Sequence, residues 1–304
     1  MDATAENHHP NRSTVRIEAA DGVTLTADVA GDPAGPPVLL FHGGGQTRHA
    51  WGGALESLAA DGWRALSFDL RGHGQSDWSP NGLYDLDRFA ADVAVVAAGF
   101  ARPVLVGASL GGLSSLTAIG ESSVPLASGL VLVDVTPRLE AKGVGRIRDF
   151  MALGVDGFDS LEAVADAVAS YVPHRERPKD LSGLRKNVRQ REDGKWVWHW
   201  DPAFFARVGD AEAGEPTAGR FSPHDRLASA ARRITVPTLL VRGGASDVVS
   251  PEGAAELKEL IPRAEVVDVA GAGHMVAGDR NDRFNAAVVD FLDRIIRPAF
   301  ASKD

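Results

Sequence analysis

The segment "VLVGASLGG" (residues 104–112) runs from an apolar stretch directly into three glycines that surround a serine. A short continuous apolar run is typical of a strand buried on both faces of a sheet. Residues 107–111 have the spacing G-x-S-x-G, typical of a sharp strand-to-helix turn that exposes the serine hydroxyl. Such a turn forces Ser109 into an unfavourable backbone conformation, and only small residues two positions either side let the neighbouring chain approach. The same five residues also fit an ordinary turn, where glycine and serine are common.

Strand-like and helix-like segments alternate on both sides of this turn. The runs "PPVLLF", "WRALSFD" and "ASGLVLVDV" are strand-like, and helical segments such as "YDLDRFAADVAVVAAG" separate them. This alternation predicts an α/β fold with a mostly parallel sheet, because parallel neighbours are joined by right-handed helical crossovers. Two β-rich runs also meet at Asp21-Gly22, a dipeptide that favours a hairpin, so the chain is expected to open with antiparallel strands.

The alternation stops at about Thr136 and resumes at the strand-like run "ITVPTLLVRGG". The segment between them is more polar and contains helix-like stretches such as "SLEAVADAVASYV", but no strongly apolar strand. We therefore predict an eight-stranded sheet with a mainly helical cap inserted after the sixth strand. The predicted parts are a disordered tail (1–13), a core (14–135 and 234–304) and the cap (136–233).

Composition excludes several classes of function. The 304-residue chain is 44% hydrophobic, which supports a substantial core, and it has no cysteine for a disulfide, a thiolate zinc site or a nucleophile. His8 and His9 lie in the polar tail and are not expected to bind a metal. The net charge of −9 disfavours nucleic-acid binding, which needs clustered Lys and Arg. No apolar run approaches the roughly 18 residues of a membrane span, and no signal sequence is evident, so a cytoplasmic protein is expected.

A serine hydroxyl is a weak nucleophile, so it needs a base within hydrogen-bond reach and an acid that orients the base. In "VAGAGHMVAGD", His274 follows the last predicted strand, and in "LLVRGGASDVVSP", Asp247 follows the preceding one. The order Ser109, Asp247, His274 is the chain order that this turn requires. Asp134, at the end of "LVLVDV", is a competing acid, although we expect it to cap the turn into the insertion.

Acyl transfer also needs hydrogen-bond donors for the developing oxyanion. The backbone N–H of Leu110, directly after the serine, is one candidate. The second is expected from "HGGGQ", where Gly44 is the first choice and Gly45 the alternative. These glycines do not match a nucleotide-binding loop, because neither G-K-[ST] nor G-x-G-x-x-G is present. We predict no cofactor and no metal.

Taken together, these motifs resemble the α/β-hydrolase superfamily over nearly the whole chain. They are "HGGG" (42–45), "DLRGHGQS" (69–76), the serine turn, and the loops that carry Asp247 and His274. The resemblance implies a serine hydrolase with a lid between the sixth and seventh strands. It also implies that residues 69–76 are structural, so that Arg71, His73 and the nearby His42 belong to the scaffold.

Sequence differences from some relatives restrict the reactions that this chain is expected to catalyse. Epoxide hydrolases and haloalkane dehalogenases resemble this chain but use an aspartate nucleophile, and the epoxide hydrolases also use two cap tyrosines. Here Ser109 takes the nucleophile position, and Tyr84 and Tyr171 are the only two tyrosines. Ala108 replaces the large residue that many relatives carry before the serine, which indicates a changed pocket wall.

The cap contains Trp196, Trp198 and Trp200, which alternate at a period of two after an Asp-Gly turn. We count these tryptophans among the candidate substrate-binding residues. Alternatively, they pack the cap onto the sheet. The expected partner is a small-molecule substrate, with neither nucleic acid nor membrane. The expected reaction is hydrolysis of an ester of a small or medium acid through an acyl-enzyme. C–C bond, thioester or lactone hydrolysis, perhydrolysis and a non-catalytic ligand receptor remain alternatives.

Overall fold

The computed structural model describes residues 12–19, 21–172, 177, 179–206, 224–273 and 281–301. Its main sheet has eight strands in the order β1-β2-β4-β3-β5-β6-β9-β10, and all neighbours from β4 to β10 are parallel. β2 runs antiparallel to both of its neighbours. These strands are Arg12–Glu18 (β1), Thr24–Ala30 (β2), Pro37–Phe41 (β3), Arg64–Phe68 (β4), Val104–Ala108 (β5), Gly129–Val133 (β6), Thr238–Gly243 (β9) and Glu265–Val269 (β10). The predicted α/β class and mostly parallel sheet are confirmed.

Helices connect these strands and cover both faces of the sheet, and further helices lie in the insertion between β6 and β9. In chain order they are Gly52–Ala60 (α1), Leu86–Ala98 (α2), Leu110–Glu121 (α3), Ala141–Ala152 (α4), Leu161–Tyr171 (α5), Ala203–Ala206 (α6), His224–Arg232 (α7), Pro251–Leu260 (α8) and Asn281–Phe291 (α9). A π-helical turn, Leu292–Ile296, continues α9 into α10, Arg297–Ala301. No described helix is both long and apolar enough to cross a membrane.

The core lies on both faces of the sheet because successive strand residues point to opposite sides. On β3, Leu39 and Phe41 pack into the cluster that contains the apolar side chains of α2 and α3. Val38 and Leu40, on the other face, pack with α1 and α9. Burial of β3 on both faces explains why its sequence is a continuous apolar run rather than an alternating one.

The tail and cap boundaries differ in detail from the predicted parts. β1 begins at Arg12, inside the predicted tail, and the prediction for residues 1–11 lies outside the described residues. The described insertion contains α4, α5, α6 and a hairpin in which Val188–Gln190 (β7) pairs antiparallel with Trp196–Trp198 (β8). Helix α7, also inside the predicted cap, packs on α3 of the core, where a Cβ on Gly120 would lie 2.7 Å from the Ala230 carbonyl carbon.

The cap is anchored to the core through the segment that follows its hairpin. The Gly74 N–H donates to the His199 carbonyl at 2.7 Å, and the Asp201 N–H donates to the Gly72 carbonyl at 2.8 Å. The Tyr84 hydroxyl donates to the Asp201 carboxylate at 2.5 Å. The first two bonds join the cap to Gly72 and Gly74 of "DLRGHGQS", so this stretch contributes to the core and also anchors the cap.

Candidate active site

The turn between β5 and α3 holds Ser109 in a conformation that L-residues rarely adopt, with φ of 46° and ψ of −115°. Close backbone approaches on both sides explain the two glycines of the motif. A Cβ on Gly107 would lie 2.5 Å from the Gly111 carbonyl carbon. A Cβ on Gly111 would lie 2.6 Å from the Phe41 carbonyl carbon and 2.7 Å from the His42 carbonyl oxygen. The steric reason predicted for G-x-S-x-G is therefore present in the structure.

Ser109 lies in the wall of a cavity of about 320 Å³, within the size range of small-molecule sites. The lining is mostly apolar, and Arg148 is the one charged side chain among the described lining residues. Its main apolar walls come from α3, from one face of the cap helix α4 and from α6: Leu110, Leu113, Val144, Ile147, Met151 and Phe204. The cavity therefore lies between core and cap and suits an apolar group attached to the reacting centre.

The predicted oxyanion donors lie beside the serine. Gly44 and Leu110 line the same cavity as Ser109, and a Cβ on Gly44 would lie 3.9 Å from Leu110 Cδ2. Leu110 is the first residue of α3, where a backbone N–H has no intrahelical acceptor. The N–H of the alternative, Gly45, instead donates to His73 Nε2 at 3.1 Å. This hydrogen bond favours Gly44 over Gly45 as the second donor.

Two buried histidines hold this loop in place. Because backbone N–H groups of Gly45 and Leu70 donate to the Nε2 atoms of His73 and His42, each ring carries its proton on Nδ1. His73 Nδ1 then donates to the Arg71 carbonyl at 3.0 Å, and His42 Nδ1 donates to the Gly43 carbonyl at 2.7 Å. Burial lowers the pKa of His42 to about 4 and that of His73 to about 3. Both rings therefore stay neutral near pH 7, in agreement with a scaffold role.

Arg71 is also a structural residue. Its guanidinium is buried and pairs with the buried Asp92, with Nε 2.6 Å from Oδ2. It also pairs with Asp21 on the surface, at 2.8 Å. These partners hold it within the core, so Arg71 fits the predicted scaffold role.

The two candidate acids, Asp134 and Asp247, occupy different positions, and Asp134 contacts the loop that carries Asp247. Asp134 follows β6, is fully buried and has a positive φ of 48°. Its carboxylate accepts hydrogen bonds from the Gly243 N–H at 2.9 Å and the Ser246 hydroxyl at 2.6 Å. Asp134 thus holds the loop that follows β9, a role that the sequence did not indicate. Asp247, carried by this loop, has a side chain 29% exposed, and its Oδ2 lies 3.2 Å from Arg146 Nε on α4.

His274, the predicted base, lies outside the described residues, but the chain that leads to it does not. The Ala245 N–H donates to the Ala272 carbonyl at 2.9 Å. A Cβ on Gly243 would lie 3.0 Å from the Gly273 carbonyl carbon. The residue directly before His274 therefore contacts the loop that carries Asp247.

The residues predicted to bind substrate do not line the described Ser109 cavity. Ala108 packs on the face of the sheet that α1 and α9 cover, in the cluster that contains Val38 and Leu40. Trp198 stacks on Trp200 with ring centroids 4.9 Å apart, and both line a smaller neighbouring cavity. Trp196 is half-buried and lies under the Arg185 guanidinium, 5.0 Å from its ring centre.

The cavity residues that sequence reasoning missed lie mostly on α4. Val144, Ile147 and Met151 recur at the spacing of one helical face, so this periodicity was the available signal. The helix is otherwise rich in charged and glycine residues, and nothing in its sequence indicates that this face meets Ser109. Among the described residues, no group of three or more His, Cys, Asp or Glu side chains is arranged to bind a metal ion.

Comparison with known proteins agrees with this geometry. Residues 36–280 match the family model for the alpha/beta hydrolase fold, a span of more than half the chain. The chain belongs to the α/β-hydrolase family. This hydrolase is 32% identical over 284 residues to Esterase Rv0045c from Mycobacterium tuberculosis, covering 91% of this chain and 89% of the relative. The strained serine turn, the cap and the apolar cavity thus lie within a known enzyme fold.

Two further proteins are similar over nearly their full length. The hydrolase is 29% identical over 272 residues to 2-(acetamidomethylene)succinate hydrolase from Mesorhizobium japonicum, covering 88% of this chain and 92% of that protein. The crystal structure of an alpha/beta hydrolase from Novosphingobium aromaticivorans superposes with a TM-score of 0.76 at 26% identity, covering 94% of this chain and 99% of the other. The recognised family, the fold and the enzyme class predicted from sequence are confirmed.

Proposed function

We propose that this hydrolase cleaves carboxylic esters of small or medium acids through a covalent intermediate on Ser109. The observation that carries the proposal is the strained backbone of Ser109 in the wall of an apolar cavity, with Gly44 and Leu110 beside it. Strain of this kind persists only where the surrounding structure fixes it, and such positions cluster at active sites. The similarity to a protein named as an esterase supports the same class of substrate.

In the proposed reaction, His274 removes the proton from the Ser109 hydroxyl as Oγ attacks the ester carbonyl. The carbonyl oxygen becomes an oxyanion and accepts hydrogen bonds from the N–H groups of Gly44 and Leu110. His274 then gives the proton to the leaving alcohol, and the acyl group stays on Ser109. A water molecule, activated by the same imidazole, attacks the acyl-enzyme, so that the acid leaves and the serine is restored.

We propose Asp247 as the group that orients His274. It lies on the loop that contacts Ala272 and Gly273, directly before the histidine. Arg146 approaches one of its carboxylate oxygens, and a carboxylate has a second oxygen that can accept from an imidazole Nδ1–H. Asp134, by contrast, holds this loop in place by accepting hydrogen bonds from the Gly243 N–H and the Ser246 hydroxyl.

The reaction is tested by measuring hydrolysis of p-nitrophenyl esters by the wild type and by Ser109→Ala. We expect wild-type activity on short and medium esters, and a loss of kcat of about 10⁶-fold in the variant. Thioesters, lactones and vinylogous diketones belong in the same panel, because the same groups can attack their carbonyls. Activity near the wild-type level in Ser109→Ala would contradict the mechanism. Turnover of no carbonyl substrate at all would favour the ligand-receptor alternative.

The acid is tested by comparing Asp247→Asn with Asp134→Asn, which are matched in size and remove the same charge. We expect Asp247→Asn to lower kcat by about 10⁴-fold, because the histidine loses its orientation and tautomer. Asp134→Asn keeps one carbonyl oxygen for the Gly243 N–H and is expected to have a smaller effect. A full loss in Asp134→Asn with normal activity in Asp247→Asn would assign the role to Asp134.

A further inference from the structure

A second cavity of about 80 Å³ lies beside the Ser109 cavity, under the cap hairpin. We call it the hairpin cavity; its apolar walls are Val155, Val197, Trp198, Trp200 and Pro202. Of the described residues, Met151 alone lines both cavities. Met151 is therefore the one described side chain that borders both the space beside the nucleophile and the space beneath the stacked tryptophans.

Met151 lies near the end of α4 and is buried, with an exposed fraction of 3%. Its thioether end reaches the glycine loop, where a Cβ on Gly45 would lie 3.0 Å from Sδ. Any side chain at Gly45 would therefore meet Met151. A methionine is unbranched and has several rotatable bonds, so it fills irregular gaps and can change rotamer at little cost. These properties suit a side chain that can move within the cavity lining or be replaced by a shorter residue.

The face of α4 that lines the Ser109 cavity beside Met151 is apolar. Val144, Ile147 and Met151 lie on one face of α4 and span about 10 Å of helix, at about 1.5 Å per residue. The charged residues at the hairpin cavity already have partners, since Arg189 stacks on Trp78 at 4.4 Å and Arg191 pairs with Asp193. In the Ser109 cavity, Arg148 Nε lies 3.9 Å from Asp149 Oδ1. The described charged side chains of both cavities thus have partners, which favours a neutral hydrocarbon chain over an anionic group.

We propose that Met151 sets the longest acyl chain that this hydrolase accepts, and that the hairpin cavity receives the distal end of a longer chain once Met151 is shortened. The proposal rests on the ester hydrolysis proposed above. The acyl carbon reacts at Ser109, its methylenes lie against the apolar face of α4, and Met151 closes the Ser109 cavity where it adjoins the hairpin cavity. Met151 is a specificity-determining residue in this account and takes no part in bond making or breaking.

The test compares kcat/KM for p-nitrophenyl esters from acetate to dodecanoate in the wild type, Met151→Ala and Met151→Leu. A change of one methylene in an apolar pocket alters kcat/KM by about 10-fold or more. We therefore expect Met151→Ala to raise the dodecanoate-to-butanoate ratio at least about tenfold, whereas Met151→Leu, which conserves volume, keeps the wild-type ratio. A uniform fall across all chain lengths would instead make Met151 a positioning residue for the glycine loop and overturn the proposal.

A second pair of variants locates the end of the chain. Val155→Phe fills the hairpin cavity, so adding it to Met151→Ala should remove the gain on long esters. Ile147→Ala, on the same face of the same helix, widens only the Ser109 cavity, and Val155→Phe should not reverse its effect. A Met151→Ala gain that survives Val155→Phe would contradict the assignment of the hairpin cavity. If Met151→Ala does not fold, Met151→Val is measured in the same way.

The Ser109→Ala variant separates the two possible failures. If wild-type hydrolysis does not depend on Ser109, the proposed function itself is wrong. If hydrolysis depends on Ser109 but the chain-length profiles of the wild type and Met151→Ala coincide, only the role of Met151 is wrong. Active-site titration with a fluorophosphonate corrects the rates of the enzymes that retain Ser109 for the fraction of folded enzyme.

Discussion

In the turn around Ser109 the critical neighbours of Gly107 and Gly111 are backbone atoms, whereas in the cap hairpin the neighbours of Trp198 are mainly side chains. A Cβ on Gly111 would meet the Phe41 carbonyl carbon at 2.6 Å. Trp198 instead packs on the rings of Phe150, Phe158 and Trp200. Backbone atoms in a turn cannot move away from an added atom, whereas side chains can repack. The residue type is therefore restricted at Gly107 and at Gly111, while in the hairpin only the combined packing of the side chains is restricted.

The largest effect on stability is expected in the hairpin, from Trp198→Ala. Trp198 is 6% exposed, and its indole N–H donates to the Leu153 carbonyl at 2.7 Å. Its removal should lower the free energy of unfolding by about 3–5 kcal/mol, as for other buried aromatic residues. Trp196→Ala, in the same strand but half-buried, is the control and should cost less. Equal losses in urea unfolding would show that burial does not distinguish the two rings.

A smaller loss of stability is expected in the turn, from Gly111→Ala. Forcing one extra carbon against fixed backbone should cost about 1–3 kcal/mol. It should also displace Ser109 and the Leu110 N–H, and a displacement of this kind costs about 100-fold in rate. The matched control is Gly52→Ala in α1, where a Cβ would meet nothing within 4 Å and which should be neutral or stabilising. Normal ester hydrolysis by Gly111→Ala would contradict the steric account of the motif.

The smallest effect concerns the histidines behind the glycine loop. His73 has a pKa of about 3 in the folded chain because it is buried, and about 6.5 when unfolded. Below about pH 6.5 the unfolded chain therefore binds a proton that the folded chain does not, so stability falls as the pH falls. The contribution of His73 is at most about 1.4 kcal/mol per pH unit.

Urea unfolding at pH 7, 6 and 5 measures this dependence, and His73→Gln should reduce the slope by the contribution of one proton. The side chain of glutamine keeps a carbonyl oxygen that can accept from the Gly45 N–H, so the loop retains a partner. An unchanged slope in His73→Gln would mean that the histidine does not remain neutral in the folded protein.

The sequence predicted the parts of the site that depend on local backbone geometry and on strand order. G-x-S-x-G reports a steric requirement within five residues, and the structure has the positive φ at Ser109 that this requirement implies. Parallel strands bring their carboxyl ends to one edge of the sheet, so the loops after β9 and β10 were expected to be neighbours. The contact between Gly243 and Gly273 follows that order.

The parts that were not predicted depend on packing between distant segments. The hydrogen bond from Gly45 to His73 joins residues 28 positions apart, and no local pattern in either segment indicates it. The walls on α4 meet Ser109 only because the cap folds back over the sheet. The tryptophans are conspicuous in the sequence, yet Trp198 and Trp200 line the hairpin cavity rather than the Ser109 cavity. Residue type alone does not tell which of two adjoining cavities a cap residue faces.

The most direct test of the central claim is to locate the adduct formed with a fluorophosphonate. The probe phosphorylates an activated serine, and mass spectrometry of the digested protein identifies the modified residue. We predict one adduct, on Ser109, that forms in the wild type, is absent from Ser109→Ala and blocks ester hydrolysis in proportion to labelling. An unlabelled wild type, or the same labelling in Ser109→Ala, would contradict the claim that Ser109 is the nucleophile.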